Sequence, residues 1–152
     1  MPNVLATCVD VDTQTLMATA RVAERRGCNQ NLAFLQGNVI LIAEGQEPTS
    51  LPPQQMIYAL GFCDYLTDDQ VIDLVDWSYR RLVDGGTLVL TNLDASNPDR
   101  ELMEHILEWK VNHRTADELR DLVQRTELRR QPLEIRPDAS GVNLFVIGTK
   151  RV

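Results

Sequence analysis

The sequence predicts an α/β fold: a mostly parallel sheet with an antiparallel C-terminal hairpin strand. Three observations carry this expectation. Short apolar runs alternate with amphipathic segments along the chain, the junctions carry cap or turn residues, and the last two strand-like runs are separated by a short turn instead of a helix. With 152 residues, 43% of them hydrophobic and 24% charged, the chain can bury a sizeable core.

Val4 to Val9 is a compact apolar run that ends in Asp10, as a buried parallel strand would. Thr13 to Arg26 reads as a helix, with Leu16, Ala20 and Ala23 at helical spacing and Gly27 placed to end it. Asn31 to Gln36 is a second short strand, Gly37-Asn38 turns the chain, and Val39 to Ala43 adds a brief extended piece. Glu44 to Pro53 contains Gly45, Pro48, Pro52 and Pro53 and reads as a loop.

Gln55 to Leu60 is the third strand. Thr67-Asp68-Asp69-Gln70 forms a capping box that opens a helix with Val71, Leu74, Val75 and Leu82 on one face. Asp84-Gly85-Gly86 ends that helix, and Thr87 to Asn92 is the fourth strand. Asn97-Pro98 starts another helix with Leu102, Ile106 and Trp109 in one stripe. Thr115 and Glu118 form a second capping box ahead of Leu119, Leu122 and Val123. Leu128 to Ile135 and Asn143 to Thr149 are the closing strands, with Asp138-Ala139-Ser140-Gly141 as the turn between them. All the strands are expected to form one twisted sheet with helices on both faces.

A net charge of −7 disfavours a phosphate-backbone partner, so no nucleic-acid binding is expected. No apolar run approaches the ~20 residues of a membrane-spanning helix. Cys8, Cys28 and Cys63 show no C-x-x-C spacing and have only His105 and His113 for company, so no metal site is expected and the compartment reads as reducing and cytoplasmic.

The candidate chemistry lies at strand ends. Asp10 sits where a parallel strand meets its loop, the edge at which open α/β sheets bind ligands, and an acid there can accept both hydroxyls of a ribose. The alternative is a solvated Asp10 beside a helix capped by Asp12 or Thr13. Asn38 is placed to meet an adenine edge, or simply to form a Gly-Asn turn. Tyr58-Ala59-Leu60-Gly61-Phe62 ends the third strand with small residues that let backbone approach a ligand.

Val9-Asp10-Val11-Asp12, Leu35-Gln36-Gly37-Asn38, Met56-Ile57-Tyr58-Ala59-Leu60-Gly61 and Leu82-Val83-Asp84-Gly85-Gly86-Thr87-Leu88-Val89-Leu90 stand in the order and spacing of class I S-adenosylmethionine-dependent methyltransferases. The chain resembles that family from Val4 to Lys150. The Asp-Gly-Gly stretch is similar to the family's Pro-Gly-Gly turn. Gly61-Phe62-Cys63-Asp64-Tyr65-Leu66, with Met103-Glu104 through Trp109 to Arg114-Thr115, resembles a bacterial subgroup associated with hydroxy fatty acid methyl ester biosynthesis.

The resemblance implies a Rossmann-like sheet ordered 3-2-1-4-5-7-6 and S-adenosylmethionine as cofactor. Asp10 would hold the ribose, Asn38 and Val39 would flank the adenine, and Ala59, Leu60 and Gly61 would line the methionine end. A substrate pocket would use Asp64, Tyr65, Asn92, Trp109 and Arg114, with Arg114 pairing with a substrate carboxylate; the alternative has Trp109 and Tyr65 as packing residues and Arg114 paired with Asp117 or Glu118. Tyr65 and His105 are the catalytic candidates, His105 because it shares a helical face with Leu102 and Trp109. The acceptor would be a small or fatty-acid-like molecule presenting a carboxylate or hydroxyl.

Three departures accompany the resemblance. Asn38 stands where the family often has Asp, and Gln55 where it has an acid. The first strand and its Gly-x-Gly loop are missing: the first glycine is Gly27. The expectation is a single methyltransferase-like domain over residues 1–152, the C-terminal portion of a longer protein, with its sheet completed by an upstream domain or by a homodimer partner. A non-catalytic interaction module of the same fold is the main alternative, and a nicotinamide-binding doubly wound domain a third.

Overall fold

A computed structural model describes residues 4–151. The chain divides into two compact units, Met1–Thr49 and Ser50–Val152.

In the first unit, β1 (Ala6–Asp10) is followed by α1 (Thr13–Arg25), β2 (Leu32–Gln36) and α2 (Val39–Ala43). The two strands pair in parallel, from Ala6 opposite Leu32 to Asp10 opposite Gln36. Asp12 caps α1, its carboxylate accepting the N–H of Gln14 at 2.8 Å and the hydroxyl of Thr15 at 3.0 Å. Leu16 and Ala23 are the buried positions of α1.

The extended piece expected over Val39 to Ala43 is a helix. Its β-branched residues suggest a strand, but the side-chain oxygen of Asn38 accepts from Ile40 N–H at 3.0 Å and Leu41 N–H at 3.4 Å. That cap satisfies orphan donors of the first turn and outweighs a weak local propensity.

The second unit contains β3 (Gln54–Ala59), α3 (Asp68–Arg81), β4 (Leu82–Leu93), α4 (Arg100–His105), α5 (Ala116–Gln124), β5 (Leu133–Pro137) and β6 (Asn143–Thr149). Its sheet runs β3-β4-β6-β5: β3 and β4 are parallel, and β6 is antiparallel to both β4 and β5. Both capping boxes form as read, Thr67 with Gln70 and Thr115 with Glu118. Leu88, Leu90, Leu144 and Val146 meet Val71, Leu74, Val75, Leu119, Leu122 and Val123 as buried residues of this unit's core.

The strands therefore do not form the single sheet expected from the sequence. They lie in a two-stranded and a four-stranded sheet. Among the described residues no strand pairs with the second edge of β1 or of β3.

Three boundaries also move. α3 ends at Arg81 and β4 begins at once; Gln54 lies opposite Leu82 but Met56 opposite Thr87, so Asp84-Gly85-Gly86 is a bulge within the strand, not a helix stop. α4 ends at His105, where Leu107 N–H bonds Leu102 C=O at 3.1 Å and Glu108 turns left-handed at φ 51°. Leu102, Ile106 and Trp109 consequently form no buried stripe, and Met103 is the buried residue of α4. Finally, Glu127–Arg130 is a 3-10 turn capped by Thr126, and the strand starts only at Leu133. Leu128 is fully buried and fills the space beside Gly148, where a Cβ would stand 2.5 Å from its Cδ2.

Candidate functional site

In the first unit the parallel pairing brings the ends of β1 and β2 side by side. Gly37 N–H donates to Asp10 C=O at 3.0 Å, so Asp10 and Gly37-Asn38 share one carboxyl edge. Asp12 is the cap of α1, one of the two caps that the alternative named. The Asp10 Oδ1 accepts Asp12 N–H at 2.8 Å, which orients the carboxylate, and among the described residues its Oδ2 accepts no hydrogen bond. Asn38 spends its carboxamide oxygen on the α2 cap, and its N–H donates to Glu47 Oε2 at 3.3 Å. Val39 N–H, in the first turn of α2, has no partner among the described residues.

In the second unit β3 ends at Ala59, and Leu60 is 57% exposed. Gly61 takes φ 68°, a conformation that favours glycine. Its N–H donates to the buried Thr91 hydroxyl at 2.7 Å, locking the end of β3 to β4. Thr91 was not singled out in the sequence, where it reads as one more residue of a strand.

Beyond Gly61 lies a buried polar network centred on Arg114. Its Nε donates to Asp68 Oδ1 at 3.0 Å, and its Nη2 reaches the same oxygen at 2.9 Å. Nη1 donates to Cys63 C=O at 3.0 Å and to Asn92 Oδ1 at 2.7 Å, and Nη2 to Leu66 C=O at 2.7 Å. These contacts use all five guanidinium donors. The partner is Asp68, not Asp117 or Glu118, and none of the five N–H groups is left for a substrate carboxylate.

Asn92 is equally committed. It is 1% exposed, and its Nδ2 donates to Leu93 C=O and Asn112 C=O at 3.0 and 2.8 Å. The sequence placed it toward a substrate; its burial and full pairing make it part of the frame.

Asp64 is buried beside this network, its Oδ1 accepting Leu93 N–H at 2.6 Å. Burial raises its pKa, opposed by that hydrogen bond and by the nearby His113 and Arg114. Cys63 is buried too, and desolvation pushes its thiol up to about 12, so it is no nucleophile at neutral pH.

Of the two histidines, His105 is exposed at the end of α4 and shares no helix with Trp109. The His113 side chain is fully buried. Asn97 Oδ1 accepts Asp99 N–H, which makes Asn97 Nδ2 the donor toward His113 Nε2 at 3.3 Å. His113 Nδ1 has no hydrogen-bond partner and lies 4.0 Å from Glu104. Sequence reading favoured His105 on helical spacing that the short α4 does not sustain.

Tyr65 and Trp109 stay accessible, 56% and 47% exposed, and Trp109 Nε1 donates to the Tyr65 hydroxyl at 3.0 Å. Leu102, Ile106 and Leu107 are exposed on the same segment as Trp109. No helix among the described residues is long and apolar enough to cross a membrane.

No protein-family model and no curated protein matches the chain. Solved structures do. A protein of Bordetella parapertussis described as a possible exported protein superposes with TM-score 0.77 at 19% identity, over 99% of this chain and 55% of its own. An O-methyltransferase family 2 protein from Planctomyces limnophilus, in complex with apigenin, gives 0.72 at 17% identity, over 96% and 43%. Human N-acetylserotonin methyltransferase, in complex with SAM, gives 0.70 at 10% identity, over 97% and 41%. The chain thus spans about half the length of these structures or less, and it has the Rossmann-like fold of the SAM-dependent O-methyltransferases among them.

Proposed function

We propose that this chain is an S-adenosylmethionine-dependent methyltransferase domain acting on a small molecule through a hydroxyl or carboxylate oxygen. One observation carries the reading. The carboxylate of Asp10, oriented by Asp12 N–H and with Oδ2 open, stands at the carboxyl end of a parallel strand, next to the Gly37-Asn38 turn held to its own C=O. An acid there is suited to a ribose diol, and the adjacent Val39 N–H to an adenine edge. The methyltransferase fold of the solved relatives supports it.

In the second unit, Gly61 at φ 68° keeps the end of β3 free of a side chain, as the close approach of a ligand to backbone would require. The methyl donor supplies an electrophilic carbon on a sulfonium, so transfer to oxygen depends chiefly on orientation and exclusion of water. Arg114, Asn92 and Asp64 hold the segments after β3 and β4 together and act through that frame. Tyr65 and Trp109 are the groups left to meet an acceptor, which favours an aromatic or aliphatic body over a carboxylate anchored by Arg114. A lipid-like acceptor fits the exposed Leu102, Ile106 and Leu107 beside Trp109.

Equilibrium dialysis with labelled S-adenosylmethionine tests the reading. Saturable binding, displaced by S-adenosylhomocysteine, is expected. No binding at millimolar ligand would favour a non-catalytic module of the same fold.

A further inference from the structure

We propose that the carboxylate of Glu47 recognises the exocyclic amine of the cofactor's adenine, supplying from the far end of the α2 segment the acceptor that Asn38 cannot. This inference rests on the cofactor reading above and adds a residue to it.

Asn38 has no acceptor to spare for a ligand. Its one acceptor oxygen is taken by two backbone N–H groups of α2, so it has only a donor amide to offer a ligand. An adenine edge presents an amine, which requires an acceptor. Glu47 provides one at the same place. Its chain returns after α2, with Glu47 N–H bonded to Leu41 C=O at 3.1 Å, and its Oε2 accepts Asn38 N–H at 3.3 Å. The second oxygen, Oε1, lies 3.0 Å from the point that a Cβ on Gly37 would occupy. Gly37 is the residue whose N–H is bound by Asp10 C=O. The half-buried carboxylate is therefore packed over the turn beside the ribose acid, in room that exists because residue 37 has no side chain.

Among the described residues Glu47 Oε1 accepts no hydrogen bond and Glu47 is in no ion pair, so one charged acceptor stays available. A charge-assisted bond from an amine to such an oxygen is stronger than one to a carboxamide. A 6-oxo base reverses the polarity of this edge and sets oxygen against carboxylate.

The test measures binding of S-adenosylhomocysteine and its 6-oxo analogue, S-inosylhomocysteine, to the full chain and to its Glu47→Gln and Glu47→Ala variants. Wild type is expected to prefer the adenine ligand by about tenfold or more, because the wrong base leaves a buried polar group unpaired. Glu47→Gln, whose amide can also donate to a 6-oxo group, should shrink that preference to within about threefold. Glu47→Ala should weaken the adenine ligand more than the 6-oxo ligand. The ratio of the two affinities does not depend on the fraction folded, so a loss of stability does not imitate this result. Equal wild-type affinity for the two ligands, or variants that lose affinity without changing the ratio, would overturn the role of Glu47 and leave the cofactor reading standing. Failure of wild type to bind either ligand would overturn both.

Discussion

The indole N–H of Trp109 donates to the hydroxyl of Tyr65 at 3.0 Å, joining residues 44 positions apart. The bond ties the chain after α4 to the 3-10 turn Cys63–Tyr65 that precedes α3. Both rings stay about half exposed, so the pair contributes little to the core. Tyr65→Phe should cost about 0.5–1 kcal/mol, the scale of a partly solvated hydrogen bond. Urea denaturation checks this, and a loss above about 3 kcal/mol would show that the pair is structural and not a surface offered to a ligand.

Arg114 differs in kind. Arg114→Ala leaves Asn92, two carbonyls and Asp68 without their donor, and a loss of about 3–5 kcal/mol is expected in the same assay. Arg114→Lys should recover only part of it, because an ammonium has three donors where the site uses five. Full recovery by lysine would mean that charge alone matters here.

The hairpin turn responds to pH through Asp138, whose carboxylate accepts from Ser140, Val142 and Asn143. These bonds hold its pKa at about 2, below the ordinary 3.8. A depressed carboxylate stabilises the fold above its unfolded pKa, and that contribution disappears as pH falls through the folded value. The stability difference between wild type and Asp138→Ala should be constant above about pH 5 and shrink between 3.8 and about 2. Denaturation curves across that range decide the point; a difference that grows on acidification would refute it.

Gly148 faces the buried Leu128, and a methyl group in place of its hydrogen would stand 2.5 Å from Leu128 Cδ2. Gly148→Ala should therefore destabilise by about 1–3 kcal/mol through overpacking. Adding Leu128→Ala should make the Gly148→Ala step less costly than it is in wild type, which a double-mutant cycle measures. Strict additivity would mean that the clash is relieved elsewhere.

What the sequence made legible was local. The capping boxes at Thr67–Gln70 and Thr115–Glu118 are i, i+3 patterns, and the turn at Asp138 to Gly141 is signalled by its own residues. α2 was misread because the decisive Asn38 cap lies outside the apolar run that suggests a strand. Arg114 reads as a partner of a substrate carboxylate or of the neighbouring Asp117 or Glu118, because its acceptors at Cys63, Leu66 and Asp68 lie 46 to 51 positions away. Glu47 carried no signal at all, since its contact with Asn38 exists only once α2 has turned the chain back. The Asp12 cap of α1 is the local pattern that the alternative for this segment named, and it does not by itself assign Asp10 a ligand.

Asp10 is the residue on which the proposed cofactor edge depends most. Chemical-shift titration of the 152-residue chain with S-adenosylmethionine reads binding and its location together. The predicted result is saturable binding, with amide shifts concentrated at Asp10, Gly37, Asn38 and Val39. Asp10→Ala should weaken that binding by about 1–3 kcal/mol, the scale for losing a charged hydrogen-bond acceptor. Shifts absent from those amides, or an affinity that Asp10→Ala leaves unchanged, would contradict the assignment of this edge to the cofactor.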